Sequence, residues 1–160
     1  MTVDTSKVTE RRTLRFESLD EIVTDAERLV AAPKVRMLGN WPLEDLFLHL
    51  ATAINGSLDG IDVRAPWFIR LIAPVFKRRV LTKSMRAGFK LPVSAQTDLF
   101  PKGKSVAESL ESLRSAVARQ HSQPMAASHP VFGRLTHDEW RQLHLRHAEL
   151  HLSFAIPLAE

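Results

Sequence analysis

The 160-residue chain contains no cysteine. Disulfides, thiolate ligands and a cysteine nucleophile are therefore excluded, and any transition-metal site must use His, Asp or Glu. No apolar run approaches the ~18 residues of a membrane span. Arg11-Arg12 is followed by Thr13-Leu14-Arg15-Phe16-Glu17 rather than by an apolar stretch. No export signal is read, and a cytoplasmic location is expected. Repeats and low-complexity tracts are absent. So are a Ser-His-Asp order and a glycine-rich phosphate loop, since Gly39, Gly56, Gly60 and Gly88 are scattered turn glycines. Pairs such as Asp59 with Asp62, or Glu17 with Asp20, read as surface groups. Acidic residues are missing altogether from Val63 to Thr97, a stretch holding Arg64, Arg70, Lys77, Arg78, Arg79, Lys83, Arg86 and Lys90. The net charge of +4 therefore belongs to one segment, and the rest of the chain is mildly acidic.

What is present suits one domain, residues 1–160, able to bury a core: 44% of residues are hydrophobic and 25% charged. Residues 1–13 are polar and expected to fray. Three capping boxes, Ser18 with Glu21, Ser105 with Glu108 and Thr136 with Glu139, each precede an apolar-periodic stretch that runs to a proline: Pro33, Pro124 and Pro157. A fourth start lies at Asn40-Trp41-Pro42, with Glu44 and Asp45 at the positive end of the helix dipole. Helices are predicted over roughly 19–31, 42–57, 106–121 and 137–155. Nothing outside them alternates as a strand. Residues 58–103 form a long basic connection, within which Trp67 to Leu81 reads as one or two short helices broken at Pro74. The expected fold is all-α, a four-helix bundle with a long crossover between helices 2 and 3.

The function-bearing feature is a set of histidines. His147 and His151 stand four apart, on one face of the last helix, among Trp140, Leu143, Leu150 and Phe154. Gln142, Arg146, Glu149 and Ser153 fall on the opposite side and are expected to face water. His49 sits on the edge of the apolar stripe of the second helix, one turn after Asp45. A lone inward histidine is ordinarily a hydrogen-bonded core residue. Three of them buried without a shared reason cost several kcal/mol in unmet polar groups, and a divalent cation supplies that reason. Asp45 is then the natural acceptor to orient His49. His144 shares the inward stripe and is open to three roles: fourth ligand, proton shuttle or packed core group. His121 and His137 read as solvated or capping residues. His129, in the rigid turn His129-Pro130-Val131-Phe132-Gly133, is a further candidate beside the site. The zinc-protease pattern is excluded, because Ala148 follows His147 where a Glu would be needed.

The run from Gly39 through Trp41, Pro42 and Asp45 to His49-Leu50-Ala51 resembles the second helix of the DinB-like metalloproteins, where a Trp opens the helix and a His-Leu follows eight residues on. The run His147-Ala148-Glu149-Leu150-His151 is similar to their late helix, which carries HxxxH. The resemblance implies a four-helix bundle whose three histidines, here His49, His147 and His151, bind a divalent metal. Many relatives continue the last motif as His-Arg-Gly-Gln, whereas this chain reads His151-Leu152-Ser153-Phe154. With the HP-x-FG turn and the Trp on the last helix, it resembles a branch known mainly as a domain of unknown function. Characterised members of the superfamily use thiols such as bacillithiol or mycothiol, some transferring them to electrophiles and one isomerising maleylpyruvate.

Three imidazoles suit zinc or nickel, with iron also compatible. The first functional expectation is a metal-dependent transferase or hydrolase acting on a small molecule, anionic or a low-molecular-weight thiol conjugate. The alternative is a non-enzymatic, metal-stabilised module whose basic segment contacts a partner or a membrane surface. That segment is expected to lie over the bundle with its charges in water, or to serve as a lid bordering the metal. Nucleic acid ranks last, because no binding module is recognisable. Leu145, Ala148 and Leu152 form a second apolar stripe on the last helix, so a homodimer is expected in preference to a monomer.

Overall fold

Ser18 caps the first helix: its hydroxyl accepts the N–H of Glu21, and α1 runs over Leu19–Ala31. The computed structural model describes residues 2–61, 65–88, 101–103 and 105–159. After Pro33 comes strand β1, Lys34–Met37. Helix α2, Leu43–Asp59, starts behind Pro42 and ends at Gly60, whose φ of 98° only glycine adopts without strain. Helix α3, Trp67–Thr82, continues through Pro74 as a single helix. Helix α4, Val106–Ser122, is capped by the Ser105 hydroxyl on the Glu108 N–H. Strands β2, Ser128–His129, and β3, Gly133–Arg134, make a small hairpin. Thr136 and Glu139 close a reciprocal capping box at the head of α5, His137–Leu152. Strand β4 follows at Ala155–Leu158.

Among the described residues the protein is mostly helical, with five α-helices and two antiparallel two-stranded sheets. The expectation of an all-α chain is corrected by these strands. The last helix stops at Leu152 instead of running to residue 155. Ser153 and Phe154 turn the chain, and Ala155–Leu158 pairs antiparallel with β1, Met37 opposite Ala155 and Lys34 opposite Leu158. Both strands of such a ribbon are edges, which is where Pro157 is tolerated. The Lys-Val-Arg-Met alternation of β1 was the available signal, but four residues are too few to weigh against loop.

Helices α2 and α4 make the most extensive contact, α1 packs on α4 and α5, α5 packs on α2, and α3 lies against α5. Ile22, Leu29, Phe47, Ile54, Leu113 and Trp140 are among the buried core side chains. No described helix is long and apolar enough to cross a membrane. Residues 2–18 run along this core, with the Arg12 N–H donated to the Ser153 carbonyl and Asn40 bonded to both backbone groups of Val3.

One expectation about α5 is overturned. Arg146 and Glu149 do not face water; Arg146 is 1% exposed and Glu149 5%. Ser153 is buried as well. The segment before α1 covers them, and the pair grips its backbone. Glu149 Oε1 accepts the Phe16 N–H at 2.7 Å, Arg146 Nη2 donates to the Phe16 carbonyl at 2.7 Å, and the two side chains meet at 2.8 Å. A second pair lies alongside: Arg12 binds Asp25 through two bonds of 2.8 and 2.7 Å and donates to the Leu152 carbonyl. Charges removed from water must be paired, and here the pairing also satisfies a peptide unit that would otherwise be buried unmet.

Removing one member of this clamp strands the other. Arg146→Met should cost about 3–5 kcal/mol in urea unfolding. The double variant Arg146→Met/Glu149→Leu should be less destabilised than Arg146→Met alone, because no lone charge remains. Equal losses in both would mean that the peptide contacts, not the charge pair, set the cost.

Candidate metal centre

Helix α2 contributes His49 from its inner face, and α5 contributes His147 and His151 from positions one turn apart. One ring nitrogen from each lies within 4.8 Å of the others, a group that could hold a metal ion. His49 Nε2 and His147 Nε2 are 3.1 Å apart. Nitrogens around a tetrahedral ion with bonds of ~2.0–2.1 Å stand ~3.3 Å from one another, so this pair already has the needed spacing. The three rings meet edge-on at centroid distances of 4.5 to 4.9 Å, with no two stacked face to face. Burial, reinforced by the neighbouring histidines, holds His147 and His151 well below the ordinary imidazole range. They are neutral at pH 7, the form that donates to a cation. Donor type, convergence and protonation state all fit a divalent ion.

Trp41 walls the cluster. Its indole stacks on His151 at 5.1 Å with planes 4° apart, and meets His49 edge-on at 4.9 Å. The sequence showed Trp41 only as the residue opening α2; its role against the histidines was missed. Asp45 turns to the segment 101–103: its oxygens accept from Lys102 Nζ at 2.7 Å and from the Gly103 N–H at 2.9 Å. Gly103 lies against α2 so closely that a Cβ there would come 2.6 Å from the Glu44 backbone. Trp41, Asp45, His49, Pro101 and Lys102 line a hollow of about 10 Å³, room for one water. The cation at this hollow is thus Lys102, which no motif singled out.

Residues 63–90, expected as the lid, do not supply a lining residue there among those described. Arg64 and Lys90 lie outside the described residues, as does Asp62. Trp67, Arg70 and Leu71 instead line a separate hollow with Val131, Phe132 and Gly133.

His144 and His129 form a second group on Trp140. The His144 ring stacks on the indole at 5.4 Å, and His129 lies 5.2 Å from it. His129 Nδ1 accepts the N–H groups of Val131 and Phe132, so it builds the hairpin turn and leaves its proton on Nε2. His144 Nε2 is buried without a hydrogen-bond partner among the described residues. His144 is not one of the three convergent histidines. His121 is exposed and bonded to Asp20, and His137 accepts the Met125 N–H, as suits residues near helix ends.

The profile of a family described as "Protein of unknown function (DUF1569)" matches residues 8–158, which include every residue of this centre. No curated protein and no solved structure matches the chain.

Burial depresses His144 to a pKa of about 3 and His129 to about 4, against 6.5 in the unfolded chain. As pH falls below 6.5 the unfolded chain binds these protons first. Their contribution is therefore whole above 6.5 and drains away toward pH 4 and 3. Each should tilt stability by about 1.4 kcal/mol per pH unit in that window. His144→Leu should flatten the acid limb of a stability-against-pH curve by one such increment, and leave stability at pH 8 unchanged or higher, because it removes an unmet polar atom. A marked loss at pH 8 would show that Nε2 is engaged.

Proposed function

The chain belongs to the DUF1569 family, proteins of unknown function, and from its three-imidazole cluster we propose a metal-dependent enzyme built on a DinB-like four-helix bundle. The helices of that bundle are α1, α2, α4 and α5, with α3 in the long crossover. His49, His147 and His151 would hold one divalent ion, zinc or nickel by ligand softness and iron by compatibility. The carrying observation is the convergence of three imidazole nitrogens, two of the rings held neutral by burial, from two helices. A three-nitrogen ion keeps its full charge and an open position, and so lowers the pKa of a water or thiol placed there.

The remaining residues then have definite tasks. Trp41 fixes the His151 ring plane and shields one flank from solvent. Lys102, anchored by Asp45, places a cation at the rim of the hollow beside His49, which favours an anionic substrate. The hollow takes a single water, so a larger substrate must displace Lys102 and Pro101 from its mouth. The reaction class that fits is transfer to, or hydrolysis of, a small molecule or thiol conjugate.

Protein purified without a histidine tag should carry about one equivalent of divalent metal. His49→Ala and His147→Ala should each lose it, with helical circular dichroism retained. Metal held at full occupancy in either variant would remove that residue from the ligand set. Cobalt(II)-loaded protein should change its visible spectrum when a small thiol is added. An unchanged spectrum would mean a closed shell and a structural metal.

A further inference from the structure

Helix α3 carries its apolar side chains on the side away from the body. Toward α5 it turns Ala73 and Leu81, and Lys77 pairs with Glu139. Outward it turns Trp67, Phe68, Leu71, Ile72, Val75 and Phe76, from 54% to 79% exposed. Stepped at 100° per residue, these six occupy one half of the helix. Arg78 and Arg79 fall within the same half at its C-terminal end, and Lys83 and Arg86 follow. The hollow lined by Trp67, Arg70, Leu71, Val131, Phe132 and Gly133 continues the face toward the β2–β3 hairpin.

A contiguous apolar face of this kind marks a docking surface. Charge selects its occupant. A second copy of the helix would cover the apolar side chains but brings no acidic residue to meet Arg78 and Arg79. An anionic lipid surface satisfies both parts of the face. The aromatic and aliphatic side chains enter the boundary between headgroups and chains, while the cations meet lipid phosphates. Trp67, an amphipathic ring at the end of the helix, is a residue type suited to that boundary.

We propose that the outward face of α3 docks the protein peripherally onto anionic phospholipid bilayers. This does not depend on the metal reading, since none of its residues lines the histidine cluster.

The full chain should co-sediment with vesicles of mixed phosphatidylcholine and phosphatidylglycerol, and at least about tenfold less with phosphatidylcholine alone, given about fivefold per cation near the surface. Binding to the mixed vesicles should weaken as salt rises. Tryptophan emission should shift to the blue on binding, and Trp67→Phe should remove the shift. Leu71→Glu/Val75→Glu and Arg78→Glu/Arg79→Glu change exposed positions only, so each should keep the fold by circular dichroism and lose binding at least tenfold. Equal partition into both vesicle types would overturn the proposal, as would no binding to either. A dimer in sedimentation velocity that Leu71→Glu/Val75→Glu dissolves would assign the face to a second copy and overturn it as well. The salt dependence of the unmodified chain decides the matter even if a variant fails to fold.

Discussion

Helix α5 is enclosed on most of its circumference and yet carries Arg146, Glu149, His144, His147 and His151, so the protein is organised around satisfying polar groups inside it. Water is not available to most of them, and each unmet group would cost a substantial part of a marginal stability. The solutions differ by face. Toward the N-terminal segment, Arg146 and Glu149 take both backbone groups of Phe16, which ties residues before α1 to the last helix. Toward α2, His147 and His151 meet His49 and the indole of Trp41. Toward the β2–β3 hairpin, His144 has the Trp140 ring beneath it and no partner for Nε2 among the described residues. The first solution satisfies the Phe16 peptide unit, while Arg146 Nε and Nη1 and Glu149 Oε2 have no hydrogen-bond partner among the described residues. In the second, His49 Nε2 and His147 Nε2 stand at hydrogen-bond distance, where one ring donates to the other or both turn their lone pairs to a metal ion.

This arrangement explains which parts of the chain were legible. Ser18, Ser105 and Thr136 announced three helix starts because capping is local chemistry, decided within four residues. The inward stripe of α5 was legible for the same reason, since His147, His151, Trp140 and Leu143 stand at helical spacing. The other side of α5 was misread. A helical wheel equates polar with solvated, and nothing local reveals that residues before α1 will lie over Arg146 and Glu149. Burial there is a tertiary event, and its partner is a peptide group that has no signature in sequence. Strand β4 was missed for a related reason: Ala-Ile-Pro-Leu continues the apolar pattern of α5, and only its pairing with Lys34–Met37, more than a hundred residues away, makes it a strand.

The same limit applied at the candidate metal centre. The three ligand candidates could be picked out because two share a helix face and the third lies on an amphipathic stripe. Asp45 was picked out by its place one turn before His49, but the bonds its carboxylate accepts from Lys102 and the Gly103 N–H had no local signal. That contact needs the approach of a segment nearly sixty residues away, possible only because position 103 has no Cβ to strike Glu44. Asp45 therefore acts on the pocket from its rim. It holds Lys102 at the hollow beside His49.

The separation of charge in the chain follows from these placements. If the acid-free segment existed to draw anions to the metal, its cations would be expected beside His49, and the described one there is Lys102. Lys77 is spent on Glu139 at the head of α5, which fixes α3 against the body and sets which side of it faces outward. With Lys77 turned inward, Trp67, Leu71 and Val75 have no choice but the solvent side. The exposed apolar face of α3 is thus a consequence of how the helix is anchored. A sequence that retained the anchor while meeting only water would be expected to carry polar residues on that side, and this one carries its largest side chains there.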